Sequence, residues 1–251
     1  QLQKEECMTR ILALDASTEG CSVALNQDGQ ITMQMEVAPQ AHTKLMLPMV
    51  DQILKATNLK LTDLDVLACG RGPGSFTGVR IGVSFAHGLA LGSNLKIIGV
   101  GDLEALAWRA MQETNTSLAA VAFDARMGEV YLGLYALVDG KVTALASDAV
   151  LAPAKASVAL KEILGAKAIA GTKVAYAGTG FETYPELAQV PCVELTKASS
   201  RFPDAGAVAQ IAATRLDSAV PPEELLPLYV RDTVTWKKVS EQEAMRAHKK
   251  H

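Results

Sequence analysis

Short apolar stretches alternate with helix-spaced apolar positions along the first half of the chain. Asp28-Gly29, between two such stretches, is a typical hairpin turn. The pattern predicts three strands, then helix, strand, helix, strand, helix. These lie within 11–25 (two strands) and at 31–37, 41–56, 66–69, 75–92, 96–100 and 102–111. Asp102 is predicted to cap the last helix, and Pro48 predicts an irregular first turn in the first helix.

The second half repeats this order in outline. The predicted strands lie at 118–123, 129–137, 141–150 and 174–177, and the predicted helices at 154–164, 181–188 and 203–218. Asp139-Gly140 is a second hairpin signal. We therefore predict an N-terminal lobe at 8–102 and a C-terminal lobe at 103–231, with helix 203–218 packing back on the first lobe. Residues 1–7 are interpreted as a remnant preceding Met8, and 232–251 as a flexible tail.

A glycine-rich junction joins the strand at 66–69 to the helix that starts at Ser75. Glycines permit positive φ angles and close backbone approach, and a helix start presents unpaired N–H groups. Gly72, Gly74 and Ser75 are therefore candidates for binding an anion, together with Asp15 and Ser17 at the end of the first strand. The competing interpretation is a tight strand-to-helix turn and a local Asx or Ser/Thr turn. The spacing matches no phosphate-loop motif and does not decide between them.

Small residues recur every four positions in the helix at 75–92, including Gly78, Gly82 and Ala86. Glycine costs about 1 kcal/mol relative to alanine inside a helix, so the repeat indicates a close contact, either internal or with a partner. The helix at 41–56 is apolar on two adjoining ribbons. The predicted partner-binding residues are Leu45, Met49, Ile53, Gly78, Gly82, Val83 and Ala86. Burial in the core is the competing interpretation for the apolar ones.

Composition narrows the class of protein. The 251 residues are 49% hydrophobic, and 24 basic against 27 acidic residues give a net charge of −3. A globular protein is expected, without the basic surface of one that binds nucleic acid unaided. Four dispersed cysteines and no apolar run of membrane-spanning length favour a cytoplasmic protein that does not contact membranes.

Four sequence blocks together resemble one bacterial family. They are ILALDAST at 11–18, HTKLMLP at 42–48, GRGPGSFTGVRIG at 70–82 and DARMGEVY at 124–131. The family is TsaB, also called YeaZ, of tRNA threonylcarbamoyladenosine biosynthesis, and the resemblance covers about 8–236. It implies the actin, sugar kinase and heat-shock ATPase fold, in which two α/β lobes, each with a mixed sheet flanked by helices, face a cleft.

The resemblance also implies a role. TsaB is the non-catalytic paralogue of TsaD, which transfers a threonylcarbamoyl group to the adenosine beside the anticodon of ANN-decoding tRNAs. The implied partners are TsaD in a heterodimer and the ATPase TsaE, with a homodimer when TsaD is absent and tRNA bound only through the complex. In TsaD a His-x-x-x-His pair holds a metal, whereas Asp102 and Leu106 occupy those places here. We therefore expect no metal, no catalysis and no tightly bound cofactor, with ATP or ADP bound weakly or shared at the partner interface.

Two other functions stay open from the residues. An ATP-dependent kinase of the same fold would need magnesium ligands that the sequence does not clearly supply. A metalloprotease is disfavoured because no metal-binding pair is visible. Asp124, Arg126 and Glu129 are candidates for contact with a partner or with tRNA, against the alternative of a local ion-pair network.

Overall fold

The computed structural model describes residues 9–167, 172–191 and 193–230. The predicted remnant at 1–7 and tail at 232–251 lie outside these residues. The chain divides into two compact units. Unit 1 includes the described residues up to Arg71, Ser75–Val100 and Asp204–Pro227, and unit 2 includes Gly72–Gly74, Gly101–Pro203 and the described residues from Leu228.

Unit 1 contains a five-stranded mixed sheet and three helices. Its strands are β1 (Arg10–Asp15), β2 (Gly20–Gln27), β3 (Gln30–Val37), β4 (Val66–Gly70) and β5 (Ile97–Val100), and its helices are α1 (His42–Ala56), α2 (Phe76–Ser93) and α6 (Ala205–Ala213). The strand order is β3-β2-β1-β4-β5. The β1, β2 and β3 strands pair antiparallel, while β1, β4 and β5 run parallel. The predicted hairpin is confirmed, because Asp28 and Gly29 both have positive φ.

The sheet of unit 1 is covered on both faces. Leu12 and Leu14 in β1 and Leu67 in β4 are fully buried in one core with α1 and α2. Successive strand residues point to opposite faces, so the alternate positions face away from that core. The α6 helix packs against β1, β2 and β4, and its start is fixed where Asp204 accepts from the Ala207 N–H at 2.8 Å.

Unit 2 has a six-stranded mixed sheet. Its strands are β6 (Leu118–Arg126), β7 (Glu129–Val138), β8 (Lys141–Ala144), β9 (Ala149–Leu151), β10 (Lys173–Ala177) and β11 (Glu194–Lys197), and its helices are α3 (Asp102–Thr114), α4 (Pro153–Lys167) and α5 (Thr179–Thr183). The order is β11-β10-β6-β7-β8, with β9 also paired to β7. Along β6, Ala119, Val121 and Phe123 belong to the core with α3, and Ala120 and Ala122 to the core with α4. Two mixed sheets flanked by helices confirm the predicted fold class.

Several predicted elements have different bounds. The segment at 141–150 forms two strands, β8 and β9, instead of one. The helix predicted at 181–188 is α5 followed by a 3₁₀ turn at Pro185–Ala188, since proline does not continue the first helix. The helix predicted at 203–218 ends at Ala213, before a 3₁₀ turn at Leu216–Ser218.

One smaller expectation is also wrong. Asp102 is the first residue of α3 and Gly101 is its N-cap residue, without a side-chain cap. The α1 helix runs from His42 to Ala56 with Pro48 inside it. The β11 strand was not predicted at all. Within the described residues, no helix is both long and apolar enough to span a membrane.

We predict that Gly78→Ala destabilises unit 1. A Cβ at Gly78 would overlap the carbonyl oxygen of Ala16, which belongs to the backbone and cannot rotate away. Overpacking of this kind costs about 1–3 kcal/mol. Urea unfolding followed by circular dichroism measures the loss, and Gly92→Ala in the same helix is the control because its Cβ meets nothing within 4 Å. Equal stability of the two variants would contradict the contact.

Candidate functional site

The loop after β1 lies directly on the first turn of α2. Gly78 allows the carbonyl of Ala16 to approach α2, and a Cβ at Gly82 would lie 3.6 Å from the Ala16 side chain. The Ser75 N–H donates to the Ser17 carbonyl at 2.7 Å, which ties this loop to the residue that caps α2. Gly78 and Gly82 therefore serve an internal contact of unit 1.

Hydrogen bonds within the loop fix its path. Asp15 Oδ1 accepts from the Ser17 N–H at 2.8 Å, which is the Asx turn of the competing interpretation. The His42 Nε2 donates to the Thr18 carbonyl at 2.9 Å, so the start of α1 also holds the loop. Asp15 and Ser17 are almost fully buried. The Ser17 hydroxyl has no hydrogen-bond partner among the described residues.

Three of the five predicted anion-site residues, Asp15, Ser17 and Ser75, lie together in unit 1. Ser75 caps α2 by accepting from the Gly78 N–H at 3.3 Å. Gly72 and Gly74 belong to unit 2. Gly72 has a φ of 110°, and its N–H donates to Asp102 Oδ2 while its carbonyl accepts from the Asp102 N–H at 2.9 Å. This pairing fixes the glycine loop against the start of α3.

The predicted partner-binding residues lie inside unit 1. Met49, Ile53, Val83 and Ala86 are at most 5% exposed, Gly78 and Gly82 are also buried, and Leu45 is half-buried. The prediction of an outward face is therefore wrong for the six buried residues, and it stays a prediction for Leu45. The physical reason is that both ribbons of small and apolar residues are needed to pack α1 and α2 against the sheet.

The face that α2 presents to solvent carries different residues. Phe76 is 61% exposed, and the Arg80 guanidinium lies over its ring at 3.6 Å from the centroid. Thr43 of α1 and Phe76, Thr77, Arg80, Ile81, Ser84 and Phe85 of α2 line a groove of about 390 Å³. A cation stacked on an exposed aromatic ring beside a groove is typical of an interface anchor.

A second series of small residues follows this exposed face. Ser84, Gly88 and Gly92 lie four residues apart and are all exposed. A Cβ at Gly88 or Gly92 would meet nothing within 4 Å, so no contact of unit 1 requires glycine there. We name this face, from Phe76 to Gly92 on α2 with Thr43 of α1, the α2 ridge. The four-residue spacing of Ser84, Gly88 and Gly92 is visible in the sequence. Periodicity alone does not show that this series is exposed while the series that includes Gly78, Gly82 and Ala86 is buried.

Unit 2 contains a carboxylate and phenol pair next to α3. Tyr135 donates to Asp148 Oδ1 at 2.6 Å, and both pack where Gly133 leaves room. Burial raises the pKa of Asp148 to about 7, and the nearby Glu104 carboxylate adds to this effect. Burial and the Asp148 charge raise the pKa of Tyr135. Sequence reasoning missed this pair because the partners lie on separate segments.

The Asp124, Arg126 and Glu129 candidates form one hairpin. Asp124 Oδ1 accepts from the Arg126 N–H at 2.8 Å, and Arg126 Nη1 lies 3.5 Å from Asp124 Oδ2. Arg126 and Glu129 pair across the β6–β7 turn, next to a register shift. Met127 at its tip is 98% exposed. These bonds explain Asp124 as a residue that shapes the turn, while the turn itself is accessible.

The described histidines and acidic residues form no recognisable metal site. His42 and His87 each bond a backbone carbonyl, of Thr18 and Leu225 respectively. No group of three His, Cys, Asp or Glu side chains in residues 9–167, 172–191 and 193–230 is placed to hold a metal ion. Cys21 and Cys69 are free and buried, and Cys7 and Cys192 lie outside the described residues. Leu106 is fully buried among apolar side chains.

Comparison with known proteins defines the class. Residues 30–238 match the sequence model of the family described as TsaD, tRNA N6-adenosine threonylcarbamoyltransferase. The solved structure of YeaZ from Pseudomonas aeruginosa superimposes with a TM-score of 0.77 at 36% identity, over 89% of this chain and 100% of that one. The fold and the match together define a TsaD-type α/β domain pair.

Curated relatives narrow this class further. The tRNA threonylcarbamoyladenosine biosynthesis protein TsaB of Escherichia coli is 38% identical over 233 residues, 92% of this chain and 98% of that protein. The TsaB of Haemophilus influenzae is 36% identical over 241 residues, 91% and 96% of the two chains. The chain belongs to the TsaB family, which confirms the resemblance seen in its sequence blocks.

We predict that Asp148→Asn flattens the pH dependence of stability. The pKa of Asp148 rises from 3.8 to about 7 in the folded chain, so folding favours its protonated form. Its stabilising contribution is complete below pH 4 and is lost as pH rises to 7, by up to about 4 kcal/mol in the free energy of unfolding.

Urea unfolding at intervals between pH 4.5 and 7.5 measures this loss. Below this range Glu113 has the opposite effect, a loss of stability as pH falls. Hydrogen bonds from Ser199 and Ser200 outweigh the burial of the Glu113 carboxyl and lower its pKa to about 2. Glu162→Gln on the exposed face of α4 is the control. If the free energy of unfolding of the Asp148→Asn variant declines with rising pH as it does in the wild type, Asp148 is not responsible for the loss.

Proposed function

We propose that this chain is a non-catalytic cytoplasmic subunit for formation of N6-threonylcarbamoyladenosine beside the anticodon of ANN-decoding tRNAs. In this role it binds the catalytic protein TsaD through the α2 ridge. The observation that carries the proposal is the set of exposed small and aromatic residues on α2. Family membership supports the biosynthetic role, since the curated relatives are tRNA threonylcarbamoyladenosine biosynthesis proteins.

TsaD is favoured as the partner because its family model matches this chain across 30–238, a range that includes both α1 and α2. A TsaD chain therefore has a related helix pair in the corresponding place. Related surfaces of two paralogues can pair in nearly two-fold fashion, and the same surface of two identical copies can pair with each other. We accordingly propose a homodimer through the same ridge when TsaD is absent.

The chemistry of the ridge suits helix-to-helix docking. Gly88 and Gly92 cost helix stability in the isolated chain without any internal contact to offset the cost. Exposed glycines allow the backbone of a second helix to come close, within the 8–10 Å interaxial distance typical of packed helices. Phe76, stacked with Arg80, supplies a large apolar anchor at one end of the same face.

Residue identity supports a non-catalytic role. Leucine cannot bind a metal, and Leu106 takes one of the two places where the resemblance implies histidine. Asp102 takes the other, and its carboxylate accepts a hydrogen bond from the Gly72 N–H through Oδ2. A kinase function has no observation in its favour beyond the shared fold.

The expected nucleotide site and the expected contacts with TsaE and tRNA are further parts of this proposal. A nucleotide or another anion bound at Asp15, Ser17 and Ser75 would find the buried Ser17 hydroxyl, which lacks a partner among the described residues. We propose that such a site is weak alone and shared with TsaD. Contact with the ATPase TsaE and with tRNA is assigned to the assembled complex, with the exposed hairpin at Arg126 and Met127 as the accessible candidate.

We predict opposite effects of Gly88→Ala on stability and on association. A methyl group at Gly88 meets nothing in the isolated chain, so better helix propensity raises the free energy of unfolding by about 0.5–1 kcal/mol. In the complex it separates the two helices, and we expect affinity for TsaD to fall at least about tenfold, or about 1.4 kcal/mol. Thermal unfolding at a concentration where the chain is monomeric measures the first effect, and isothermal titration calorimetry with TsaD measures the second.

The matched control is Gly165→Ala in α4 of unit 2. Its Cβ also meets nothing within 4 Å, so it gains stability in the same way but should leave TsaD affinity unchanged. In a reaction reconstituted with TsaD, the amount of modified tRNA should be lower with the Gly88→Ala variant than with the wild type or Gly165→Ala. The purified chain alone should form no modified tRNA. If both variants bind TsaD like the wild type, the α2 ridge is not the interface. If the chain forms modified tRNA alone, it is an enzyme.

A further inference from the structure

The outer edge of β3 in unit 1 is open along its whole length. β3 is the first strand in the order β3-β2-β1-β4-β5, and no strand of the described residues pairs with its outer side. Every residue from Gln30 to Val37 pairs with β2 in one unbroken antiparallel register. The open edge is therefore regular over roughly 26 Å, at about 3.3 Å per residue.

Alternate residues of β3 direct their backbone N–H and C=O groups away from β2. The register shows which residues these are, because the Ala38 N–H donates to the Glu19 carbonyl on the β2 side. Along an antiparallel strand, residues bonded to the neighbouring strand alternate with residues that point away from it. The outward series therefore consists of Ile31, Met33, Met35 and Val37.

The side chains of this outward series form an apolar stripe on the face of β3 next to α6. A Cβ at Gly206 of α6 would lie 3.1 Å from Met33 Sδ and 3.5 Å from Ile31 Cγ2, which places the series on that face. Met33 is still 40% exposed and Val37 58% exposed. The reason is that α6 consists mostly of small residues and packs mainly against β1 and β2. A strand added beside β3 would cover both side chains.

The usual protection of an exposed strand edge is missing from β3. Natural proteins commonly protect such an edge with lysine, proline or a β-bulge. β3 contains neither lysine nor proline, and its register with β2 has no irregularity. No Lys or Arg occurs anywhere in 11–43. The charges near the two ends of β3 are acidic instead, at Asp28 and Glu36, and both residues are exposed. An apolar edge with acidic ends suits a strand that has basic ends.

A second copy of β3 would be a poor partner for this edge. In an antiparallel pair, the Asp28 end of one strand would lie beside the Glu36 end of the other. In a parallel pair, the two Glu36 side chains would lie side by side. Both arrangements bring like charges together, which destabilises cross-strand neighbours. The charges therefore favour a different chain as the added strand.

We propose that the open edge of β3 binds an extended segment of a partner protein as an additional strand of the sheet. The segment has apolar side chains at alternate positions and a Lys or Arg toward each end. Its backbone bonds to the outward series, its apolar side chains cover Met33 and Val37, and its basic residues approach Asp28 and Glu36. This surface shares no residue with the α2 ridge and does not depend on the proposed pairing with TsaD.

Calorimetric titration of the full chain with a synthetic peptide tests the proposal. The probe is the acetylated and amidated peptide KTVTVTVTR, for which we expect saturable one-to-one binding. Methylation of the valine backbone nitrogens removes the N–H groups that face β3 and should abolish binding. Methylation of the threonine backbone nitrogens, which face away from β3, should change the affinity less than threefold. The acidic peptide ETVTVTVTE should bind at least tenfold more weakly than the probe.

Met33→Lys and Thr32→Lys are a matched pair of variants. Both add the same charge, but Met33 belongs to the outward series, whereas Thr32 pairs with Leu25 of β2 and lies on the opposite face. Met33→Lys should weaken binding of KTVTVTVTR at least tenfold and Thr32→Lys less than threefold, with melting temperatures verifying that both are folded. The proposal is overturned if the probe does not bind, if the two methylated peptides bind equally, or if the two variants bind alike. It is also overturned if Met33→Lys dissociates a dimer of the free chain in analytical ultracentrifugation, because a second copy then occupies the edge.

Discussion

The close approach of the Ala16 carbonyl to α2 is the contact on which unit 1 depends. It requires glycine at position 78, because any side chain would overlap the carbonyl. Once the loop lies there, its neighbours follow in sequence: Ser17 accepts the Ser75 N–H, Ser75 caps α2, and His42 secures Thr18 from the start of α1. One backbone contact therefore orients both helices that carry the proposed partner surface.

The α2 helix uses glycine for two different purposes on two faces. Gly78 and Gly82 allow it to approach the loop after β1, and Gly88 and Gly92 leave open space toward solvent. The inner pair stabilises the fold, whereas the outer pair weakens the free chain by about 1 kcal/mol each. The exposed glycines offset this cost only when the backbone of another helix packs against them. They therefore indicate that the α2 ridge binds a partner.

The order of strands and helices in both units was largely predictable, because apolar stretches and turn residues such as Asp28-Gly29 are local signals. The β11 strand was missed because its sequence, Glu-Leu-Thr-Lys, is short and half polar. Periodicity identified small residues on α2 but assigned the wrong series to the surface, because which face meets the sheet depends on tertiary packing. The Tyr135–Asp148 pair joins two separate segments of the chain, so no local pattern in the sequence indicates it.

Hydrogen–deuterium exchange of the full chain with and without TsaD, at a dilution where the chain without TsaD is monomeric, is the most direct test of the central claim, that the α2 ridge binds the catalytic partner. The account predicts slower exchange on complex formation in peptides that cover 76–92 and the first turns of α1. Peptides from α4 in unit 2 should exchange at unchanged rates. A complex that forms while 76–92 exchanges as in the free chain would contradict the account.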